Sequence, residues 1–353
     1  MPADPNFLIG MDAGPACEKE RKFLTDALPS PADCAKASGD TSKALIESIR
    51  KSSGHAFNLV DDYMVPIVWS ALRQLFGSAA TDIEKGVGPD ASGCPMAAKK
   101  ELLLDLRYLG AHLLVGGIAP RSIQTRAEVS ARRVNARVGW QVGAIQAALR
   151  AFRPKSGASI TRDAVGLMWV GHPATVQAGA LIMQDLIGRP PIYRTLREQA
   201  EGLGDAVWQD PAFRELLRAH VLESLRFRPP FPLLTRDVPR DATFDAGGKI
   251  VTAKAGSSVT LLTIGAMFDP LAVNQPDQYV PGRADSDWTD IENRYLMFGY
   301  GPRRCIAKDQ VVEILVSALA GLLLLPRLKW DRWWKLRIRY DGPTIVRMRL
   351  RFK

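Results

Sequence analysis

The sequence predicts a mainly α-helical protein with a minor β portion near its C-terminus. Up to Pro229, apolar residues recur at the three-to-four-residue spacing of helices, interrupted by short polar segments. After Pro232 the chain changes to paired glycines and β-branched residues, which are typical of strands and hairpins. Hydrophobic residues make up 46% and charged residues 24%, a balance typical of a folded globular protein.

The helical patterns are separated by clear breaks. Lys99 to Gly116 ends at a glycine pair and Pro120, and the pattern that ends at Phe227 is stopped by Pro229. The segment 156–159, rich in glycine and serine, marks a boundary before the longest pattern. We expect helices over residues 56–76, 99–116, 127–152 and 161–187, and one that ends near 227.

The C-terminal part predicts hairpins, a loop region and one buried helix. Residues 243–259 predict hairpins, and 269–287 are rich in loop-forming residues. A helix is expected to start near Cys305, and its apolar run 314–325 is shorter than the roughly 18 residues that span a bilayer. Residues 336–340 and 344–352, joined by Asp341-Gly342-Pro343, predict a terminal hairpin.

The net charge of +10 comes mainly from two basic stretches, residues 121–155 and 327–353. Residues 346–353 alternate between apolar and basic, which predicts a strand with one solvated face. No nucleic-acid-binding motif accompanies the charge, so we do not expect a nucleic-acid partner. Docking to an acidic protein or to anionic lipid stays open. In the tryptophan-bearing segment 329–335, contact with a membrane surface and packing under the terminal hairpin are both open.

The four cysteines are scattered, with no C-x-x-C spacing that would indicate a disulfide framework or a zinc site. The N-terminus shows no export signal, so a cytoplasmic location is expected.

Cys305 stands out because of the residues around it, Phe298 to Ala307. Gly299 and Gly301 permit backbone conformations and close approaches that other residues do not. A cysteine at the start of a helix is favoured as a thiolate, and a thiolate donates electron density to haem iron. A structural cysteine at a glycine-rich turn is the alternative.

This segment resembles the cysteine-ligand loop of cytochromes P450, Phe-x-x-Gly-x-Arg-x-Cys-x-Gly, with Ala307 in place of the last glycine. The resemblance implies haem b (iron protoporphyrin IX) as cofactor and Cys305 as the ligand of the iron. Arg303 would pair with a haem propionate. The remaining cofactor contacts implied by the loop are Phe298, Gly299, Gly301 and Ala307.

Two further motifs are similar to those of the same family. Glu223 and Arg226 match a Glu-x-x-Arg helix, and Arg283 matches the third member of the Glu-Arg-Arg cluster. Residues three apart on a helix share a face, so the first two can pair. Arg236 and Arg21 are the implied further propionate contacts.

The resemblance implies one cytochrome P450-like haem domain over residues 1–353. It is clear over 156–353 and weaker over 1–155, where residues 11–24 resemble the helix that crosses one haem edge. Family members carry an N-terminal sheet and first helices ahead of this point, so the expected fold lacks them.

Val170 to Thr175 lies where oxygen-activating members have Ala-Gly-x-(Asp/Glu)-Thr-Thr. Pro173 replaces the acid and Ala174 the first threonine, and neither can transfer a proton. Pro173 is expected to open or kink the helix. Thr175 is displaced by one position, and His172 is open as a distal acid, a contact for a substrate carboxylate or a packing residue.

The loss of this relay favours substrates that already contain an O–O bond. The expected activity is peroxide-driven oxygenation, or rearrangement of a fatty-acid hydroperoxide, on a lipophilic substrate. The chain is similar to the P450-like part of fatty-acid dioxygenase–isomerase fusions. The alternatives are an ordinary dioxygen- and reductase-dependent monooxygenase and a non-catalytic haem-binding partner. The implied protein partner is either a redox partner or a neighbouring dioxygenase or peroxidase.

Overall fold

The computed structural model describes residues 7–9, 11, 13–52, 54–86, 95–115, 119–148, 157–283, 296–331 and 338–353. In these ranges the chain is mainly helical, with small antiparallel sheets, as the sequence predicts. No helix in these ranges has both the length and the apolar character needed to cross a membrane.

The helices of the described chain share the apolar spacing seen in the sequence. They are α1 Pro15–Ala27, α2 Pro31–Lys51, α3 Val65–Leu72, α4 Ala79–Lys85, α5 Pro95–Val115, α6 Arg121–Gly139, α7 Val142–Ala148, α8 Gly157–Ile187, α9 Pro190–Leu203, α10 Pro211–Phe227, α11 Thr263–Met267 and α12 Lys308–Leu323. Shorter turns are a π-helix at Leu59–Met64 and 3-10 turns at Arg73–Phe76, Gly204–Trp208, Leu296–Phe298 and Gly301–Arg303.

The strands form three sheets within the described ranges. They are β1 Ala56–Asn58, β2 Leu233–Asp237, β3 Ala242–Asp245, β4 Ile250–Ala253, β5 Ser258–Leu262, β6 Lys329–Trp330, β7 Ile338–Asp341 and β8 Thr344–Arg351. β8 pairs with β1, β6 and β7, whereas β2–β5 and β3–β4 are separate two-stranded ribbons. The terminal hairpin is therefore confirmed, and its turn has Gly342 in the left-handed region at φ 60°.

The core is built around α12, which is buried from Val312 to Leu323 and packs against α2, α10 and α8. The expectation of a buried helix here is confirmed. The helix α2 was not predicted; its N-terminus is capped by Ser30, whose hydroxyl accepts from the Asp33 N–H at 3.1 Å. Between the two helices, Tyr63 donates to the Ala318 carbonyl at 2.7 Å and pairs with Ser42 at 2.7 Å.

Three predicted boundaries were wrong. Residues 127–152 do not form one helix: α6 starts at Arg121, and Trp140 and Gln141 separate it from α7. Residues 56–76 begin as strand β1, because Ala56 to Asn58 pair with β8, before the chain turns helical. The helix expected near Cys305 starts at Lys308. Trp330 lies in β6 beside β8, while Trp333 and Trp334 lie outside the described residues.

Candidate functional site

The helix α8 passes between two hydrophobic clusters, and its middle turns present different faces to different neighbours. His172 faces α3, where its ring lies against Trp69 with centroids 6.4 Å apart. Trp169 faces α5 and donates to the Leu109 carbonyl at 2.9 Å. The third face stays partly accessible, although most of the helix is buried. Its residues follow helical spacing and are all apolar: Leu167, Val170 and Ala174.

His172 is buried, and its Nε2 lies 3.3 Å from the carbonyl oxygen of Val65. Burial lowers the pKa of His172 to about 4, although the hydrogen bond to Val65 acts in the opposite direction. The ring is therefore neutral near pH 7 and points toward α3 rather than the accessible face. This geometry matches the packing alternative, in which His172 joins α8 to α3.

We expect His172 to make the protein lose stability in acid. Its folded pKa of about 4 is below the unfolded value of about 6.5, so the contribution is complete above pH 6.5 and is lost as the pH falls toward 4. Between pH 7.5 and 4.5 the His172→Gln variant should lose about 2–3 kcal/mol less unfolding free energy than the wild type. Denaturant unfolding across this range measures the difference; equal losses would contradict the assignment. Burial also lowers the pKa of His220. Because His220 is present in both proteins, its effect cancels in the comparison.

Pro173 and Thr175 also turn away from the accessible face. Pro173 is buried against Gly110 of α5, and Thr175 donates to the Gly171 carbonyl at 2.7 Å within its own helix. The helix continues through Pro173 from Gly157 to Ile187, so the expected opening at this proline is not observed. Thr175 thus takes a hydrogen bond inside α8, and Ala174 keeps the accessible position.

Gly110 allows α5 to pack closely on Pro173, because a Cβ at position 110 would overlap the proline ring. We expect Gly110→Ala to lower the unfolding free energy by about 1–3 kcal/mol, the usual cost of overpacking. The Gly110→Ala/Pro173→Ala double variant should recover part of that loss, since the overlapping ring is gone. Denaturant unfolding of both variants and of Pro173→Ala completes the cycle; additive effects would show that the two positions do not interact.

The loop before α12 brings Cys305 back toward Phe298. The Cys305 N–H donates to the Phe298 carbonyl at 2.7 Å, and Gly299 and Gly301 adopt φ values of 78° and 60°. These left-handed conformations explain why glycine occupies both positions. The next residue, Ile306, packs on the same hydrophobic cluster as Leu167 and Val170 of α8. The loop and the accessible face of α8 therefore adjoin one cluster.

The pKa of the Cys305 thiol is raised by burial, although a hydrogen bond from the Ala307 backbone and the nearby Arg21 act in the opposite direction. The sequence argument for a thiolate relied on the start of a helix at Cys305. The helix starts three residues later, so desolvation outweighs the helix terminus in the protein alone. Ala307 keeps the backbone N–H that a glycine would supply at this position. Cys305 itself remains half-buried.

The three arginines predicted as propionate contacts have different surroundings. Arg303 donates to the backbone carbonyls of Leu8 and Ile9, at 3.2 and 2.9 Å, and to that of Met11. Arg21 reaches the cysteine loop and donates to the Pro302 carbonyl at 3.2 Å. Arg236 is exposed on β2 and donates to the carbonyl of its neighbour Thr235 at 2.9 Å. The structure thus brings Arg21 and Arg303 to the cysteine loop.

Glu223 and Arg226 form a bidentate pair on α10, with N–O distances of 3.1 and 2.7 Å. Both are buried, and the Arg226 side chain has no exposed surface. Arg283 joins them at 3.3 Å from Glu223, so the structure brings together the three residues of the predicted cluster. The Val280 N–H also donates to Glu223, at 3.0 Å.

The remaining Arg226 donors tie α10 to the following loop. They reach the backbone carbonyls of Met267, Pro276 and Gln278 at 3.2, 2.7 and 3.1 Å. Arg283 donates to the Gln278 carbonyl at 2.7 Å. The cluster therefore fixes the segment 267–283, which precedes the cysteine loop in the chain.

Tyr279 supports this cluster and was missed in the sequence. Its hydroxyl lies 3.1 Å from His220 Nδ1 and 3.0 Å from the Ser224 hydroxyl, both on α10. The Arg189 guanidinium stacks on its ring at 4.3 Å. His220 and Ser224 are four residues apart, a spacing that places both on one helix face. The spacing of His220 and Ser224 beside Glu223 was the sequence feature that could have indicated a contact on this helix face.

Residues 150–308 match the family model of cytochrome P450. Cytochrome P450 4d2 of Drosophila melanogaster is 27% identical over 177 residues, which cover 48% of this chain and 34% of that protein. Human cytochrome P450 4F2 is 26% identical over 186 residues, which cover 50% of this chain and 35% of that protein. The chain thus aligns with about a third of the length of these relatives.

The similarity to solved structures extends over nearly the whole chain. P450BioI, in complex with an acyl carrier protein carrying hexadec-9Z-enoic acid, superposes with a TM-score of 0.75 at 17% identity, covering 99% of this chain and 82% of that one. Ligand-free cytochrome P450 TbtJ1 gives a TM-score of 0.72 at 18% identity, covering 98% and 84%. At this identity the likeness shows the fold.

Proposed function

Because the chain belongs to the cytochrome P450 superfamily, we propose that it is a haem-thiolate oxidoreductase with Cys305 as the ligand of the iron. The cofactor that we propose is haem b. Residues 1–353 would form the one P450-like domain that holds it. The substrate proposed is a lipophilic molecule, with a fatty-acid hydroperoxide as the preferred class.

The residues around Cys305 suit a haem. The thiol is half-buried, and the Ala307 N–H is directed at its sulfur, which supports the charge of a thiolate ligand. Gly299 and Gly301 precede Cys305 in its loop, and an apolar, partly accessible face of α8 adjoins the same hydrophobic cluster as Ile306. A flat apolar cofactor requires these features on its two sides.

Cys305 would hold the iron, and arginines at the loop would hold the propionates. Arg21 is already at the cysteine loop, and Arg303 is bound there by backbone carbonyls that a propionate would replace. Arg236 is exposed and is bonded only to a neighbouring carbonyl among the described residues, so its guanidinium can turn toward an acid group. When bound, the haem supplies the redox chemistry of O–O bond cleavage.

The observation that carries the proposed type of reaction is the composition of the accessible face of α8. Its side chains are apolar, and Ala174, at the C-terminal end of this face, has no proton to donate. His172 is neutral and turned to Val65, and the Thr175 hydroxyl is bonded within the helix. A peroxide substrate suits this face, because the O–O bond is already formed before the substrate binds.

A small apolar cavity adjoins this face at Leu167, and its volume of about 20 Å³ admits no more than a water-sized molecule, far less than a lipophilic substrate needs. It lies between α1, α7, α8 and the turn that follows α3, and Asp163 is the charged residue among those that line it. The lining residues are Phe23, Leu24, Ala27, Leu75, Phe76, Ile145, Ile160, Asp163, Ala164 and Leu167. Asp163 is paired with Arg162 at 2.7 Å, so the lining of the cavity is chiefly hydrocarbon.

The test is to supply the haem-loaded protein with either a fatty-acid hydroperoxide or NADPH and a P450 reductase with the corresponding fatty acid. We expect consumption of the hydroperoxide without reductase and little reductase-dependent product. Product formation only with reductase and dioxygen would show a monooxygenase instead. A haem-loaded protein inert in both assays would favour a non-catalytic haem-binding partner.

A further inference from the structure

A short stretch of chain ahead of α1 connects α8 to the cysteine loop. At one end Phe7 packs on α8. At the other end Arg303 of the cysteine loop donates to three backbone carbonyls, those of Leu8, Ile9 and Met11. We call these four described residues, Phe7, Leu8, Ile9 and Met11, the strap. The strap ties together the two elements between which the proposed haem would lie.

Phe7 holds the strap on α8 by filling a notch in the surface of that helix. The residue is 4% exposed, and its ring lies against Gly166. A Cβ at position 166 would stand 2.5 to 2.6 Å from three atoms of the ring, closer than van der Waals contact allows. Leu8 packs on the same hydrophobic cluster as Ile306, the residue after Cys305. The notch therefore admits the Phe7 ring only while position 166 has no side chain.

The second anchor of the strap uses neutral acceptors for a full positive charge. Arg303 Nη1 lies 3.2 Å from the Leu8 oxygen and 2.9 Å from the Ile9 oxygen, and Nη2 donates to Met11. No carboxylate among the described residues pairs with this guanidinium. A hydrogen bond between two charged groups is roughly twice as strong as a neutral one. Because the strap uses both Nη atoms, a carboxylate that binds the two of them must displace its carbonyls.

We propose that the strap controls the loading of the cofactor. The strap closed on Arg303 excludes a haem propionate from the guanidinium, and the strap is released when a propionate binds there. This inference rests on the proposed haem function and extends it to how the haem enters. Because strap and propionate compete for one guanidinium, loosening the strap speeds haem uptake and tightens haem binding.

The test uses hemin as the probe and the full chain purified without haem. Stopped-flow quenching of tryptophan fluorescence measures the rate of hemin uptake, and the reduced carbon-monoxide spectrum reports thiolate ligation. Gly166→Ala expels the Phe7 ring, and Phe7→Ala removes it. Each variant should take up hemin at least about tenfold faster than the wild type, the effect of freeing one buried aromatic ring. Alanine favours a helix over glycine, so Gly166→Ala should keep α8 folded, which circular dichroism checks.

The matched control is Phe213→Ala, which removes an equally buried ring, also 4% exposed, from α10. This control should take up hemin at the rate of the wild type. Chymotrypsin cleavage at Leu8 or Met11 gives a second measurement, since it follows the population in which the strap is released. Cleavage of the wild type should be at least about tenfold faster after hemin binds, and cleavage of Gly166→Ala should be fast before hemin is added.

The failure of this inference and the failure of the proposed function give different results. Equal rates of hemin uptake in the wild type and both strap variants, with thiolate ligation intact, would overturn the role of the strap alone. So would an equal acceleration by Phe213→Ala, or strap cleavage that hemin does not speed. A folded wild-type protein that takes up no hemin, or binds it without thiolate ligation, would overturn the proposed function and the role of the strap with it.

Discussion

Replacing Arg226 by methionine should lower the free energy of unfolding by about 3–5 kcal/mol, enough to leave little folded protein. The substitution removes a fully buried cation and leaves the Glu223 carboxylate in the interior, where Arg283 and the Val280 N–H are its remaining partners among the described residues. It also removes the donor for the backbone carbonyls of Met267 and Pro276, which then lack this hydrogen bond, whereas the Gln278 carbonyl keeps the one from Arg283. Denaturant unfolding, or the yield of soluble protein, measures the effect.

The matched control is Arg197→Met, which breaks a helix ion pair with the half-exposed Glu201. Exposed pairs contribute at most about 1 kcal/mol, so this variant should remain folded. The double variant Glu223→Gln/Arg226→Met should be more stable than Arg226→Met, because no uncompensated charge is left. A loss below about 1 kcal/mol for Arg226→Met would contradict the role of the cluster.

Replacing Ala174 by threonine should raise reductase- and dioxygen-dependent turnover by about 100-fold, the lower limit for general acid catalysis. Under the proposed function, a hydroxyl at position 174 would stand on the accessible face of α8, and it has space there because Ala174 is only partly buried. The lower limit applies because Pro173 still supplies no acid. An acid at position 173 is not a suitable addition, since that residue is packed against Gly110.

Turnover of the hydroperoxide should change little in Ala174→Thr, because that reaction does not depend on the relay. Thr175→Val serves as the control: its hydroxyl is bonded to Gly171, so its loss should affect neither reaction. The measurement is product formation by the wild type, Ala174→Thr and Thr175→Val with each of the two oxidants. If Ala174→Thr gains no reductase-dependent activity, the relay is not what limits this protein.

Elements with a complete local signal were predicted well from the sequence. The terminal hairpin had alternating residues and an Asp-Gly-Pro turn, and α12 had an apolar run interrupted only by Ser317, so each pattern was sufficient to predict its element. The separation of α6 from α7 was missed because Val138, Val142 and Ile145 keep the helical spacing of apolar residues across the break. The helix α2 was missed since only a few of its residues are large and apolar, while small residues such as Ser38 and Gly39 are buried.

At the candidate site, motif spacing indicated which residues to examine but not their orientation. The pairing of Glu223 with Arg226 follows from helix geometry, whereas the contact with Arg283 depends on the path of the intervening loop. The direction of His172 could not be predicted, because it depends on the packing of α3 against α8. The raised pKa of Cys305 depends on burial and on a helix start that neighbouring residues set.

The most direct test of the central claim is the absorption spectrum of the reduced, carbon-monoxide-bound protein, expressed with a haem supply. We expect the Soret band of a thiolate-ligated haem in the wild type and in Cys34→Ser, which alters a cysteine buried in α2. Cys305→Ser should lose that band while keeping its circular dichroism spectrum. A thiolate band that persists in Cys305→Ser, or a folded wild-type protein that takes up no haem, would contradict the assignment of Cys305 as the ligand.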